Sequence, residues 1–254
     1  MNDFVRYEVS EAIRQWASWK RSYVSFESYA QEIEIWKKIS GVCRVHRLLE
    51  IGSGAGWFLL TAVVVGFSEE AVGLDPAVPE AGTTAEEISE TESLLRRVKI
   101  NDRVRLRRGT FQGVLRESAQ DEYDLLVFRN ALHHIYPRFS NRKSDKYTSK
   151  CINDLTSLRR LLKFPGHIYV SEVSPTFCLF GTIHNLLRTL RGAPTINWAS
   201  KRTSHQWKEI LEKAGFECVG LTHLPLHLPW LATHRIAGLT RALSHSFLLA
   251  GRVR

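Results

Sequence analysis

Hydrophobic and polar positions change rhythm along the chain. Over residues 1–45 aromatic side chains (Trp16, Trp19, Tyr23, Phe26, Tyr29, Trp36) sit among charges of both signs, a helical pattern too rich in aromatics for a disordered tail. From residue 46 short apolar runs alternate with longer segments. RLLEIG, EEAVGLD, VRLRRG, YDLLVFRN and HIYVSEVS read as strands. Between them WFLLTAVVVGF reads as a buried helix and AEEISETESLLRRVKI as an amphipathic one, with acids first and bases last as the helix dipole favours. CINDLTSLRRLLKF is a helix with Ile152, Leu155, Leu158 and Leu162 on one face. Further on, Trp207, Ile210, Leu211 and Ala214 recur at helical spacing behind a capping box from Thr203 to Gln206, and Gly215 stands where that helix should stop. FECVGLTHL and SFLLAGRV follow as strands, with PWLATHRIAGLTRAL as a short helix between them. Strands separated by helices at this spacing predict an α/β fold, a parallel sheet with helices on both faces.

The chain's 254 residues suit one large domain, or a domain with a small cap. No apolar run approaches the roughly 18 residues that span a bilayer, and MNDFVRYEVS lacks the apolar stretch of a secretory leader. No integral membrane segment is expected. Cys43, Cys151, Cys178 and Cys218 are scattered without CxxC spacing, so a reducing, cytoplasmic location is expected. Ten histidines without an HExxH pattern or close Cys/His spacing predict no metal site. The formal charge is +9, and basic residues cluster over 96–108 and 138–150. A solvated helix face and loop account for such runs, with nucleic acid, anionic lipid or an acidic substrate as the alternatives.

The stretch LLEIGSGAGW carries the sharpest chemical signal. Gly52, Gly54 and Gly56 stand between a strand and a helix, where backbone must turn tightly or approach a ligand. A dinucleotide fingerprint starting at Gly52 needs a third glycine at position 57, which is Trp57. A phosphate-binding loop needs Gly-Lys-Ser/Thr, which is absent. The turn instead carries an acid, Glu50, and no basic residue. Asp75 ends the next strand, where a carboxylate can accept from both hydroxyls of a ribose. The pattern asks for a nucleoside with free hydroxyls and no phosphate.

LLEIGSGAG, VGLDPA, YDLLVFRNALHHI and LLKFPGHIYVSE, in this order, resemble the motifs of class I S-adenosylmethionine-dependent methyltransferases, most of all the small-molecule enzymes. The resemblance covers roughly residues 46–254. It implies a Rossmann-like, seven-stranded, mostly parallel sheet whose last strand is antiparallel, with residues 1–45 as an N-terminal helical cap and 176–202 as a lid inserted in the 46–254 domain. It implies S-adenosylmethionine as cofactor and S-adenosylhomocysteine as product. Glu50, Gly52, Ser53, Gly54 and Gly56 would then meet the methionine end, Asp75 with Pro76 the ribose, and Gly109, Thr110 and Phe111 the adenine. Thr110 stands where many members carry an acid. Arg129 and Asn130 would line the sulfonium end.

Methyl transfer from a sulfonium needs alignment above all, and an oxygen nucleophile also needs a base unless it arrives ionised. His133 matches the catalytic histidine of small-molecule O-methyltransferases, and Glu172 an acid that orients it, an arrangement that fixes a tautomer. The other readings of His133 are a cofactor or substrate contact and simple packing. His134, Phe180, His184, Trp198 and Tyr29 are candidate acceptor contacts, set against burial as ordinary core. The function expected is methyl transfer to a small organic acceptor, at a hydroxyl or carboxylate oxygen, in some biosynthetic step. The alternatives are an RNA or ribosomal methyltransferase using the basic face, and a non-catalytic binding protein retaining the fold. A homodimer paired through the N-terminal helices is compatible with the sequence.

Overall fold

The structure, a computed structural model, describes residues 3–20, 24–78, 82–117, 120–136, 143–174, 186, 189–190, 201–224 and 246–254. Two N-terminal helices, α1 (Asp3–Trp19) and α2 (Phe26–Ser40), precede β1 (Val45–Ile51), α3 (Trp57–Val64), β2 (Ser68–Asp75), α4 (Ala85–Arg97) and β3 (Val104–Arg108). Then come α5 (Phe111–Glu117), β4 (Tyr123–Arg129), the short α6 (Leu132–Ile135), α7 (Lys143–Leu158), β5 (Leu162–Val173), α8 (Ser204–Lys213), β6 (Phe216–Leu224) and β7 (Ser246–Val253). The seven strands form one sheet in the order β3-β2-β1-β4-β5-β7-β6. Pairings from β3 to β5 are parallel, and β7 runs antiparallel to both neighbours. The late strand–helix–strand reading of the sequence thus ends in the reversed strand expected. The helix expected over 229–243 lies outside the described residues.

Each face of the sheet has its own core, set by strand parity. Leu48, Leu125, Val127 and Tyr169 face the layer of α1–α4. Leu49, Ile51, Leu126, Phe128, Ile168 and Val170 face α5–α8. The N-terminal helices are built into the first layer: Val9, Ile13, Phe26, Ile33 and Trp36 are buried against α3 and the strands. Capping boxes at Ser25, Thr84 and Thr203 start α2, α4 and α8. The buried Glu87 of α4 accepts from the Trp16 indole at 2.8 Å and from Lys20, which ties α1 to the sheet layer.

Two sequence expectations differ in detail. The helix expected over CINDLTSLRRLLKF ends at Leu158, and Leu162 already opens β5, because Leu162 pairs with Tyr123 across a register shift in β4. The run LLKFPGH therefore belongs largely to a strand. The basic run 96–108 flanks and forms the edge strand β3. Arg97 pairs with Glu8, while Arg103 and Arg108 donate to the carbonyls of Glu69 and Ala85. Charge on an edge strand also discourages pairing with another sheet. No helix among the described residues is long and apolar enough to cross a membrane.

Candidate active site

The strand order reverses between β1 and β4, and in such sheets ligands bind beyond the carboxyl ends of the strands at that point. Here β1 leads into the glycine turn. Gly52, Gly54 and Gly56 all adopt positive φ, 73°, 57° and 82°. A Cβ on Gly52 would lie 2.6 Å from the Ala131 Cβ, so that position needs glycine for space as well as for φ. The Gly52 N–H donates to the Leu74 carbonyl at 2.8 Å and fixes the turn to β2.

Asp75 closes β2 and is buried. One carboxylate oxygen accepts from the Gly54 N–H at 2.9 Å, the other from the Ala77 N–H at 2.8 Å. Burial pushes its carboxyl above the ordinary value, against the pull of those two N–H groups. An ionised carboxylate has about four acceptor positions, so two donors leave it able to take two hydroxyls. Beside it lies a cavity of about 210 Å³ lined by Ile51, Gly52, Leu74, Asp75, Pro76, Gly109, Thr110, Phe111, Gln112, Asn130, Ala131, His134 and Ile135. Its lining is mostly apolar, with a few polar groups, as small-ligand sites are. Asn130 holds a φ of 51°, uncommon for a residue with a Cβ.

Glu50, Ser53, Gly54 and Gly56 stand outside that lining, as does Arg129. Arg129 has the parity of Leu125 and Val127, so its side chain turns toward α2. There it forms a two-pronged pair with Glu32 at 3.0 and 2.7 Å. Its guanidinium lies 4.6 Å from the Tyr29 ring centroid and 4.7 Å from that of Phe58. Tyr169 donates to the same Glu32. Tyr29 is itself buried against Phe58. The sequence reading set Arg129 beside the ligand and Tyr29 over the acceptor; both are held in this buried cluster instead.

Glu50 lies on the same face, 1 % exposed, and among the described residues its Oε2 has no hydrogen-bond partner. Burial pushes its pKa up to about 8, with Arg129 pulling the other way. Desolvation also opposes ionisation of Glu32, but Arg129 and the hydrogen bonds it receives hold that carboxyl below the ordinary value. Two buried carboxyls beside one arginine are thus driven apart. Folded Glu50 keeps its proton over the range in which the unfolded side chain has lost it. The unliganded protein should therefore lose stability as pH rises from 4.5 to about 8. Melting curves across that range should slope less for Glu50→Gln; parallel curves would refute the placement of this carboxyl.

On the opposite face, α6 begins after Asn130. His133 Nδ1 lies 2.6 Å from Glu172 Oε2, and the His133 N–H donates to Glu172 Oε1 at 3.3 Å. His133 is 7 % exposed and Glu172 fully buried. The rings of His133 and His134 are 4.0 Å apart. Burial, with His133 and Lys201 nearby, lowers His134 to a pKa of about 4, so at neutral pH it is an uncharged ring at the cavity wall. Phe180, His184 and Trp198, with most of the 176–202 insertion, lie outside the described residues. Among the described residues no cluster of three or more His, Cys, Asp or Glu side chains could hold a metal ion.

A family model described as a methyltransferase domain matches residues 10–221. No curated protein matches the chain. Solved structures similar in fold include a SAM-dependent methyltransferase from Aquifex aeolicus, 12 % identical with a TM-score of 0.53, covering 87 % of this chain and 88 % of that one. Geranyl diphosphate C-methyltransferase from Streptomyces coelicolor, solved with Mg2+, geranyl diphosphate and S-adenosyl-L-homocysteine, is 12 % identical with a TM-score of 0.58, covering 89 % and 79 %. A riboflavin-derivative dimethyltransferase from Streptomyces davawensis is 18 % identical with a TM-score of 0.56, covering 90 % of this chain and 54 % of that one.

Proposed function

The chain belongs to the methyltransferase-domain family, and on that premise we propose that it moves a methyl group from S-adenosylmethionine to an oxygen of a small organic acceptor. The observation that carries the cofactor is the pairing of a glycine turn free of basic residues with Asp75, whose carboxylate keeps room for two hydroxyl donors. Other features fit the same ligand. Glu50 offers a buried acceptor in want of a donor, as an ammonium group would supply. The cavity runs from Asp75 past Gly109, Thr110 and Phe111, where an adenine would lie, and back to Asn130. The cofactor, when bound, supplies an electrophilic methyl group; the chain's residues hold it and place the acceptor in line with it.

The Glu172 bond fixes the tautomer of His133 through Nδ1, leaving Nε2 to take a proton from an acceptor hydroxyl. His134, neutral at physiological pH, serves as a wall for the acceptor.

A thermal shift with S-adenosylhomocysteine tests the cofactor reading, with NAD and ATP as controls. At about 100 times the dissociation constant, binding adds roughly 2.7 kcal/mol, a rise of about 5–11 °C for a chain of this size. Asp75→Ala should weaken binding by about 1.5–3 kcal/mol, the range for a hydrogen bond to a charged group. Unchanged affinity in that variant, or a rise with NAD or ATP as large, would overturn the reading.

A further inference from the structure

The cavity carries polar side chains at three places. Asp75 stands between the other two, at the end of β2. On one side, beyond the end of β4, lie Asn130 and His134; on the other, beyond the end of β3, lie Thr110 and Gln112. A nucleoside whose two ribose hydroxyls meet Asp75 holds its base and its 5′ substituent at opposite ends of the sugar. The histidines of α6 mark the 5′ side, where the methyl must be delivered, so the base falls to the β3 side. The turn there is tied to Asp75 itself. The Gly109 N–H donates to the Asp75 carbonyl at 2.9 Å, and Phe111, 4 % exposed, anchors the start of α5 in the core.

This end of the cavity offers a base no charged partner. Among the described residues the lining holds no lysine or arginine, and its one acid is Asp75, whose two oxygens already accept backbone N–H groups. What the chain presents is the Gln112 amide, which makes no hydrogen bond among the described residues, while the main-chain carbonyl of Gln112 accepts from Arg116. A carboxylate in this place would only accept. It would take a hydrogen from the 6-amino group of adenine and oppose the 6-carbonyl of hypoxanthine. An amide has an acceptor and donors on one head, and a half-turn of its last torsion exchanges them. In one setting it accepts from the 6-amino group and donates to N1; in the other it donates to the 6-carbonyl and accepts from N1–H. The Thr110 hydroxyl beside it likewise donates or accepts. We propose that Gln112 reads the purine base of the cofactor, and that it accepts adenine and hypoxanthine alike. The inference rests on the methyl-transfer reading of the site and adds to it the residue that sets the breadth of cofactor recognition.

The experiment is calorimetric titration of the full chain with S-adenosylhomocysteine and with its 6-oxo analogue, S-inosylhomocysteine. Wild type should bind the two within about threefold of each other. Gln112→Glu should favour S-adenosylhomocysteine by about tenfold or more, because the carboxylate cannot donate to the 6-carbonyl. Gln112→Ala should weaken both ligands by about three- to tenfold and leave their ratio unchanged. Gln112 is exposed on α5, and each variant's ratio of two affinities reports the contact rather than the fold. A larger wild-type preference for the adenine ligand, a Gln112→Glu ratio no different from wild type, or a Gln112→Ala variant that binds both ligands as tightly as wild type would overturn the proposal. S-adenosylhomocysteine is titrated first. Its failure to bind wild type overturns the methyltransferase reading and this proposal together, whereas its binding without the analogue overturns the role of Gln112 alone.

Discussion

Glu32→Ala is expected to destabilise the protein by about 3–5 kcal/mol, because it leaves the Arg129 cation buried without its partner. For a chain of this length that lowers the melting temperature by roughly 6–20 °C. The guanidinium lies against the rings of Tyr29 and Phe58 and is bonded twice to Glu32, so water cannot replace the lost carboxylate without opening the α2 layer. Tyr169 loses its acceptor at the same time. Adding Arg129→Met should recover part of the loss, since the uncompensated charge then disappears. The pH dependence has a fixed sign. The folded carboxyl holds its proton less firmly than the unfolded one. Its stabilisation is therefore present above the ordinary carboxylate range and disappears as pH falls through the folded value, so the gap to Glu32→Gln should close in acid. Calorimetric melting of the single and double variants decides the matter. A loss under about 1 kcal/mol, or a double variant no more stable than the single, would refute the account.

His133→Ala should slow methyl transfer by about 10²–10⁴ while leaving S-adenosylhomocysteine affinity within a few-fold, the range expected for a lost general base. Glu172→Gln should act in the same direction, because the amide no longer fixes the same tautomer of His133. A phenol acceptor sharpens the test: as pH approaches the phenol's own pKa, the ionised acceptor no longer needs a base, and the defect should shrink. Single-turnover rates with methyl-labelled cofactor across pH measure this. A near-normal rate at every pH would leave His133 as a packing residue.

The sheet and its turns were legible because their signals are local. Three glycines, an acid nineteen residues beyond the last of them, and capping residues before apolar repeats all act within a few turns of the chain. The helix α5, only Phe111–Glu117, was missed because seven residues give no clear period. Arg129 was misplaced for a different reason. YDLLVFR is apolar on both faces, so the run hides which way its last residue points. Parity was the available signal: Glu50 follows Leu48, and Arg129 follows Leu125 and Val127, onto the α1–α4 side. Glu172, with Ile168 and Val170, falls on the other side, where α6 meets it. The partner of Arg129 was out of reach, since Glu32 lies 97 residues away.

The way α2 enters the core bears on how this chain could be recombined. Phe26, Ile33 and Trp36 are each at most 2 % exposed, against α3 and the inner strands. Side chains of this size contribute about 1.5–3 kcal/mol apiece on burial. A graft that exchanged residues 1–44 for the equivalent stretch of a distant relative would therefore have to match the shapes of Phe58, Phe67 and Tyr169 and supply a carboxylate at the place of Glu32. Chimeras should tolerate a crossover within the α4–β3 connection better than one at the start of β1.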